Sequence, residues 1–183
     1  MTRFSANLGF LWRDRPLPDA IFAAHQAGFD AVECHHPYDT PPQDVRTALE
    51  ATGLPMLGLN TVFGGEGLMG LTAMPDRKDE AQALRTYEDN LRFSCDATDR
   101  MILIEPLNRH NAPGYFLHTT DQAREIITAL DLHNLKLMFD CYHVGRTEGD
   151  VMTRLSDLLA LIGHIQFASV PDRGPPDGGE LNY

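Results

Sequence analysis

The sequence predicts an α/β fold in which strands and helices alternate around a parallel sheet. Short apolar runs, bounded by polar residues, Gly or Pro, alternate along the chain with longer amphipathic segments. In the longer segments apolar side chains recur every three or four residues, which is the period of an α-helix. Apolar strands that alternate with helices indicate a parallel sheet covered by helices. Both a (β/α) barrel and an open doubly wound sheet fit this pattern.

Six of the apolar runs predict strands, and five amphipathic segments predict helices. Gly28 and Gly53 stand just after the first two helices, where a left-handed residue commonly ends a helix. Thr120 or Asp121 is expected to accept hydrogen bonds from the unpaired N–H groups at the start of the fourth helix. The predicted strands are residues 4–10, 29–34, 54–59, 101–104, 135–139 and 165–168. The predicted helices are 19–27, 42–52, 80–95, 120–130 and 150–162, the last with Leu155, Leu158, Leu159 and Ile162 facing the core.

The glycine pattern disfavours two common nucleotide-binding folds. A glycine-rich loop is predicted at residues 63–70. No GxGxxG follows the first strand, as a dinucleotide-binding fold would require, and no GxxxxGK[ST] phosphate loop is present.

Charge and cysteine content narrow the functional class. The net charge of −11 and the scattered Lys and Arg residues disfavour nucleic acid as a partner. Cys34, Cys95 and Cys141 are odd in number, widely spaced and without a CxxC motif, which favours reduced thiols over a disulfide framework or a zinc site. The N-terminus lacks the apolar core of a signal peptide, and no apolar run approaches the roughly 20 residues of a membrane helix. We therefore expect a cytoplasmic protein that makes no membrane contact.

Polar residues stand at or near the ends of five predicted strands. They are Glu33, Asn60, Glu105, Asp140 and Gln166. In a barrel or an open parallel sheet, the carboxyl ends of the strands converge on the ligand site. We therefore expect these side chains to point into one cleft.

Three of these residues favour a metal site. Pro106 keeps Glu105 in extended backbone, and no helical pattern follows Asp140 before residue 150, so neither is expected to cap a helix. Glu105, Asp140 and Gln166 together offer oxygen ligands that suit Mg²⁺ or Mn²⁺ better than Zn²⁺ or Cu²⁺. Such a cation can polarise a carbonyl while a carboxylate takes a proton from the adjacent carbon, which is the chemistry of enediolate formation.

The sequence around these residues resembles the hydroxypyruvate isomerases of the xylose isomerase-like TIM barrel superfamily. Two patterns carry most of the resemblance, Asp-x-x-His at 140–143 and His-x-Gln-x-Ala-Ser-x-Pro-x-Arg at 164–173. Residues 28–33, 105–108 and 178–183 also match, so the resemblance covers nearly the whole chain. It implies a (β/α) barrel that interconverts hydroxypyruvate and tartronate semialdehyde, a small hydroxy-carbonyl acid pair, through a divalent metal.

The resemblance also implies roles for individual residues. Glu105 is similar to the first catalytic glutamate, which is also a metal ligand, and Asp140 and Gln166 are similar to the next two ligands. Related epimerases have a His in place of Gln166, so the Gln favours the hydroxypyruvate isomerase branch. The residues expected to bind substrate are His143, Arg173, which can pair with a carboxylate, and less directly Asn60, His36 and Glu33.

The chain departs from the family pattern in two places. Residues 79–82 run almost directly from the glycine-rich region into the helix before Glu105, where the family has another βα unit. The final strand, which carries the second catalytic glutamate and fourth metal ligand, is expected beyond Tyr183. We therefore expect a single incomplete barrel domain over residues 1–183, with about six of eight strands and weak or no isomerase activity. Open sheet edges would also favour association into a homo-oligomer.

Four other functions share parts of this pattern. A 2-oxo-tetronate isomerase or a ketose 3-epimerase would use the same metal cluster, and loops 35–42 and 63–71 would set the substrate length. A catalytically inactive barrel that binds a metabolite would fit the missing glutamate. A DNA-repair enzyme of the endonuclease IV type is disfavoured by the acidity and by the absence of a His-rich zinc set.

Overall fold

The computed structural model describes residues 2–61 and 80–183, which fall into two compact units. Within these ranges there are six strands and six helices, with one helix between successive strands and two helices between the fifth and sixth strands. Every strand pairing recorded between them is parallel. The α/β class and the number of predicted strands are confirmed for the described residues.

The first unit, Met1–Val62, contains a three-stranded parallel sheet with two helices. Its strand order is β1-β2-β3, and its core includes the buried side chains of Ala6, Ile21 and Val32. Gly28 and Gly53 have φ angles of 85° and 71°, so both occupy the left-handed conformation predicted for them. The elements are β1 (Ser5–Asn7), α1 (Leu17–Gln26), β2 (Ala31–Cys34), α2 (Pro42–Thr52) and β3 (Met56–Leu59).

The second unit, Phe63–Tyr183, contains another three-stranded parallel sheet, with strand order β4-β5-β6. Its core is built around the central strand β5, where Leu135, Leu137 and Phe139 are almost fully buried. The elements are α3 (Glu80–Asp96), β4 (Ile102–Ile104), α4 (Thr120–Leu130), β5 (Leu135–Asp140), α5 (Cys141–Thr147), α6 (Val151–Leu158) and β6 (Ile162–Gln166).

The largest boundary errors lie at the two ends of the chain. The strand predicted over residues 4–10 is only Ser5–Asn7, because residues 8–13 form turns. The helix predicted to reach residue 162 ends at Leu158, and β6 begins at Ile162. Leu159 was predicted to face the core but is 62% exposed. The apolar spacing continued across the helix end, so periodicity alone placed the helix too far along the chain.

The start of α4 also differs from the prediction. Thr119, rather than Thr120 or Asp121, is the N-cap, and its side chain accepts a hydrogen bond from the backbone N–H of Gln122 at 3.2 Å. The backbone N–H and the hydroxyl of Thr120 donate instead to the carboxylate of Glu148, at 2.9 and 3.0 Å. A residue distant in the chain therefore completes the cap, which local spacing could not indicate.

Two further predictions concern other parts of the chain. The glycine-rich loop predicted at 63–70 lies outside the described residues. In the ranges that the structure describes, no helix is long and apolar enough to cross a membrane.

Candidate functional site

The predicted metal ligands of the second unit stand at the carboxyl ends of three neighbouring strands. Glu105 directly follows β4, Asp140 ends β5 and Gln166 ends β6. Asp140 and Gln166 are register partners across β5 and β6. Because register partners in a parallel sheet direct their side chains to the same face, Gln166 lies beside Asp140 on the face that holds the site.

Glu105, Asp140 and His143 form a compact cluster at this edge. One ligand atom from each residue lies within 4.8 Å of the others. His143 Nε2 is 3.7 Å from Glu105 Oε1 and 3.6 Å from Asp140 Oδ2. The Asp140 and His143 side chains are almost completely buried, whereas that of Glu105 is 26% exposed. Glu105 is therefore the carboxylate of the cluster that a small molecule in solvent can reach.

Asp140 is held in place by capping a helix, which corrects the prediction that it caps none. Its Oδ1 accepts a 2.8 Å hydrogen bond from the backbone N–H of Tyr142, at the start of α5. The seven residues of α5 are too few to show a helical apolar period, so the sequence pattern did not reveal this helix. The cap engages Oδ1 and leaves Oδ2 directed at His143 and at Arg173 Nη2, which is 3.3 Å away.

His143 is fixed by Asn108. His143 Nδ1 lies 2.9 Å from the backbone N of Asn108 and 2.8 Å from its side-chain Nδ2. Burial, with a smaller effect from Arg173, lowers the pKa of His143 to about 3, so the ring is neutral at physiological pH. Among the described residues, Nε2 has no hydrogen-bond partner. A buried polar atom without a protein partner is commonly satisfied by a water, an ion or a ligand.

Arg173 forms one wall of the cluster. Its φ of 56° lies in the left-handed region, which is uncommon for a residue with a side chain. Its backbone N–H donates to Ser169 O at 2.9 Å, and its guanidinium lies over the Tyr142 ring, 4.9 Å from the centroid. Burial raises the pKa of the Asp140 carboxyl, while Arg173 and backbone N–H groups oppose that rise.

The donor set fits a divalent cation. Carboxylate oxygens of Glu105 and Asp140 lie within 4.8 Å of each other, close enough for both to bind one ion. The carboxamide of Gln166 stands at the end of the adjacent strand. These are oxygen donors of the kind that Mg²⁺ and Mn²⁺ prefer. Glu105, Asp140 and Gln166 are therefore the residues that could hold such an ion.

The remaining predicted site residues belong to the first unit. Glu33 is buried on β2, whereas His36 and Asn60 are exposed in the segments after β2 and β3. The backbone carbonyl of Asn60 accepts a 2.7 Å hydrogen bond from the hydroxyl of Tyr38. The role of these three residues in substrate binding stays a prediction.

Sequence reasoning missed the residues that support the cluster. Asn108 belongs to the segment 105–108 that carried the family resemblance, yet it had no assigned role. Tyr142 and Asn111 were also unassigned, and their side chains are joined by a 2.7 Å hydrogen bond from the Tyr142 hydroxyl to Asn111 Oδ1. The sequence shows only that a polar residue stands three positions after Glu105, and the burial of Asn108 becomes evident from the fold.

Comparisons with known proteins agree with the fold. The family model described as xylose isomerase-like TIM barrel matches residues 65–183. A 2-oxo-tetronate isomerase from Cupriavidus necator is 36% identical over an alignment that covers 100% of this chain and 85% of that protein. A hydroxypyruvate isomerase from Escherichia coli is 31% identical, with coverage of 100% and 86%.

The chain is also similar to a solved structure. The crystal structure of an AP endonuclease, family 2, from Brucella melitensis is 29% identical, with a TM-score of 0.91. The match covers 100% of this chain and 85% of that one. A similarity of this extent includes all the strands and helices described above.

Proposed function

The chain belongs to the xylose isomerase-like TIM barrel family, and we propose that it is a metal-dependent isomerase of small hydroxy-carbonyl acids. The substrate pair that we favour is hydroxypyruvate and tartronate semialdehyde. The single observation that carries the proposal is the cluster of Glu105, Asp140 and His143 at the carboxyl ends of parallel strands. The similarity to a hydroxypyruvate isomerase and a 2-oxo-tetronate isomerase supports it.

Glu105, Asp140 and Gln166 would hold the divalent cation, which we propose is Mg²⁺ or Mn²⁺. When bound, it would polarise the substrate carbonyl and stabilise the negative charge that develops on the substrate oxygens. The net negative charge of two carboxylates beside a neutral carboxamide suits a doubly charged ion. Of the two carboxylates, Asp140 is the more buried, and its replacement should weaken binding of the ion more than replacement of Glu105.

Glu105 is the base that we assign to the reaction. Its carboxylate would take a proton from C3 of hydroxypyruvate, and the electron pair would form the C2–C3 double bond of an enediolate as the C2 carbonyl oxygen gains the charge. Return of a proton to C2, with transfer of the hydroxyl proton from the C3 oxygen to the C2 oxygen, gives tartronate semialdehyde. General base catalysis of this kind typically contributes about 10²–10⁴-fold to the rate.

His143 and Arg173 would orient the substrate. His143 Nε2 faces the space between the two carboxylates, where a substrate oxygen could accept its hydrogen. Arg173 is partly exposed beside the cluster and carries a planar guanidinium that can bind a carboxylate through two parallel hydrogen bonds. With its carboxylate bound to Arg173, the substrate would have its reacting carbon near Glu105 and its acid group away from Glu105.

We also propose that this chain lacks an internal βα unit of the family fold. The alignment with the Cupriavidus necator relative extends over 221 residues, although this chain has 183. The relative therefore has segments inside the aligned span that have no counterpart here. This difference supports the prediction made from residues 79–82.

A second candidate substrate is 2-oxo-tetronate. The similarity to a 2-oxo-tetronate isomerase, at 36% identity, favours it as directly as the other relative favours hydroxypyruvate. The same proton transfer would move its carbonyl from C2 to C3. The two acids differ by one CHOH group, so their discrimination depends on the space beyond the reacting carbons rather than on the metal cluster.

An endonuclease function has weaker support. The solved structure of the Brucella melitensis protein bears that name. However, the net charge of −11 opposes binding to a phosphate backbone, and the described cluster has two carboxylates with a single His.

The test is a comparison of the two acids by ¹H NMR. The protein, stripped of metal with EDTA and then supplied with Mn²⁺ or Mg²⁺, is incubated with hydroxypyruvate and separately with 2-oxo-tetronate, and product is quantified after the metal is removed again. We expect slow, metal-dependent conversion of at least one acid, weak because the second catalytic glutamate is expected outside these 183 residues, and we expect Glu105→Gln to abolish it. Conversion that persists in EDTA, or in the Glu105→Gln variant, would refute the proposed chemistry.

A further inference from the structure

Asn108 is completely buried and lies three residues after Glu105. Its backbone N and its side-chain Nδ2 are 2.9 and 2.8 Å from the same atom, His143 Nδ1. The backbone group can only donate a hydrogen bond, so Nδ1 must accept one. The position of the ring proton then depends on a residue that plays no direct part in the proposed chemistry.

The orientation of the Asn108 carboxamide is fixed by its other contacts. Its Oδ1 accepts a 3.0 Å hydrogen bond from the backbone N–H of Asn111, so the opposite atom of the amide must be the NH₂ group. That NH₂ group donates to His143 Nδ1 and to Asn111 Oδ1, each at 2.8 Å. If the amide were reversed, its NH₂ group would face the backbone N–H of Asn111. Its oxygen would then face two acceptors, His143 Nδ1 and Asn111 Oδ1. The network therefore permits one orientation of the amide.

The tautomer of His143 follows from this orientation. A neutral imidazole carries one proton, and a nitrogen that accepts hydrogen bonds does not hold it. The proton is therefore on Nε2, the buried atom that faces Glu105 Oε1 and Asp140 Oδ2. Neither carboxylate oxygen is close enough to accept a hydrogen bond from it.

We propose that Asn108 is a positioning residue that holds His143 as the Nε2–H tautomer, so that Nε2 donates a hydrogen bond to a substrate oxygen and does not ligate the metal. A protonated ring nitrogen has no lone pair for a cation, and the lone pair of Nδ1 is directed at Asn108. His143 has a ring nitrogen within 4.8 Å of a carboxylate oxygen of Glu105 and of Asp140. It nevertheless acts as a hydrogen-bond donor beside the metal site and not as a metal ligand. The inference rests on the proposed function only for the identity of the acceptor, an oxygen of a hydroxy-carbonyl acid.

The tautomer can be measured in the protein without substrate. Protein labelled with ¹⁵N-histidine gives ring nitrogen signals whose shifts and couplings distinguish a protonated nitrogen from an unprotonated one. The His143 signals are assigned by their loss in a His143→Gln variant. We expect Nε2 of His143 to carry the proton both in EDTA and with saturating Mg²⁺. A proton on Nδ1, or a loss of the Nε2 proton when Mg²⁺ is added, would overturn the proposal.

Asn108→Asp tests the role of the carboxamide. The shape is kept, but a carboxylate oxygen now faces Nδ1 and can only accept, while the backbone N–H of residue 108 still donates to the same atom. The new side chain favours a proton on Nδ1 and the backbone opposes it, so we expect a measurable fraction of the ring to shift to the Nδ1–H tautomer. Removal of a hydrogen-bond donor aimed at an oxygen that gains negative charge typically costs about 10²–10³-fold in rate, and we expect kcat to fall by up to that factor with a smaller change in KM. Asn90→Asp, the same chemical change at an exposed position of α3, is the matched control and should preserve both the tautomer and kcat.

The two readouts separate this inference from the proposed function. An Nε2–H tautomer in a protein that converts neither acid would support the positioning role and refute the isomerase. An Nδ1–H tautomer in an active isomerase would refute the positioning role alone. If Asn108→Asp does not fold, the measurement on the unmodified protein still decides the proposal, because it requires no variant of Asn108.

Discussion

Replacement of Asp140 by Asn should remove metal binding while leaving the metal-free protein nearly as stable as before. Asn is as good an N-cap as Asp, so Asp140→Asn keeps an oxygen that accepts the Tyr142 N–H. The variant loses the 3.3 Å ion pair between the buried Asp140 and Arg173, but the Arg173 side chain is 29% exposed, so its charge stays solvated and the loss is far below that of a fully buried pair. It also removes a charge from a buried position, which offsets part of that loss. We expect a change in unfolding free energy of no more than about 1 kcal/mol.

The metal-bound protein should behave differently. A ligand that binds only the folded state at 100 times its Kd adds about 2.7 kcal/mol to the unfolding free energy. For a chain of this size each kcal/mol raises Tm by about 2–4 °C, which gives an increase of about 5–11 °C in the unmodified protein. Asp140→Asn should lose most of this increase, because the neutral amide is a much weaker ligand than the carboxylate.

The assay is thermal unfolding followed by circular dichroism in EDTA and in a series of Mn²⁺ concentrations. Asp157→Asn, which neutralises an exposed carboxylate on α6, is the matched control and should keep the full metal-dependent increase. If Asp140→Asn shows the same increase as the unmodified protein, Asp140 is not a ligand and the site has been misplaced. If the unmodified protein shows no increase with Mn²⁺ or Mg²⁺, the metal site itself is wrong.

Three further predictions concern the scaffold. Glu148→Gln should lower the unfolding free energy in urea by about 2–3 kcal/mol, because a largely buried carboxylate that accepts three hydrogen bonds becomes neutral. Glu125→Gln, on the exposed side of α4, is the control and should change the unfolding free energy little. Equal urea midpoints for the two variants would contradict the role of Glu148 in the cap. Gly53→Ala should lower the unfolding free energy by about 1–2 kcal/mol, because the backbone there has a φ of +71°. Gly58→Ala is the control, since an added Cβ also meets open space there but φ is not positive, and it should have no such effect. Equal losses in the two variants would refute the conformational explanation. Burial raises the pKa of the Cys141 thiol to about 11, so at pH 8 it stays protonated and should not react with a disulfide reagent until the protein unfolds; rapid reaction of the native protein would show that the thiol is accessible.

The secondary structure and the positions of the proposed metal ligands were largely predictable because both depend on local patterns. Helix α2, Pro42–Thr52, and helix α4, Thr120–Leu130, have the predicted bounds, which follow from their apolar spacing and, for α2, from Gly53 at its end. Glu105, Asp140 and Gln166 were identified by their position after apolar runs, and the structure places them at adjacent strand ends. Strand ends in a parallel sheet share an edge, so this inference needed no knowledge of side-chain contacts.

The features that were missed all depend on contacts between residues distant in the chain. Asp140 caps α5, a helix too short for its periodicity to be detected. Glu148 completes the start of α4 from 28 positions away, and Asn108 orients His143 from 35 positions away. No local pattern distinguishes a buried Asn that positions a ring from an exposed Asn in a loop. Such roles become evident only when the fold shows which polar atoms are buried together.

In the proposed reaction, Glu105 would remove a proton from the carbon beside a carbonyl that a bound divalent cation would polarise. The most direct measurement is the exchange of the C3 protons of hydroxypyruvate with deuterium in D₂O, followed by ¹H NMR. This exchange requires only the first proton transfer, so it does not depend on the group that returns the proton to C2. We expect exchange well above the rate without protein, dependent on Mn²⁺ or Mg²⁺ and reduced by about 10²–10⁴-fold in Glu105→Gln. Exchange that is no faster than without protein, or that Glu105→Gln leaves unchanged, would contradict the account.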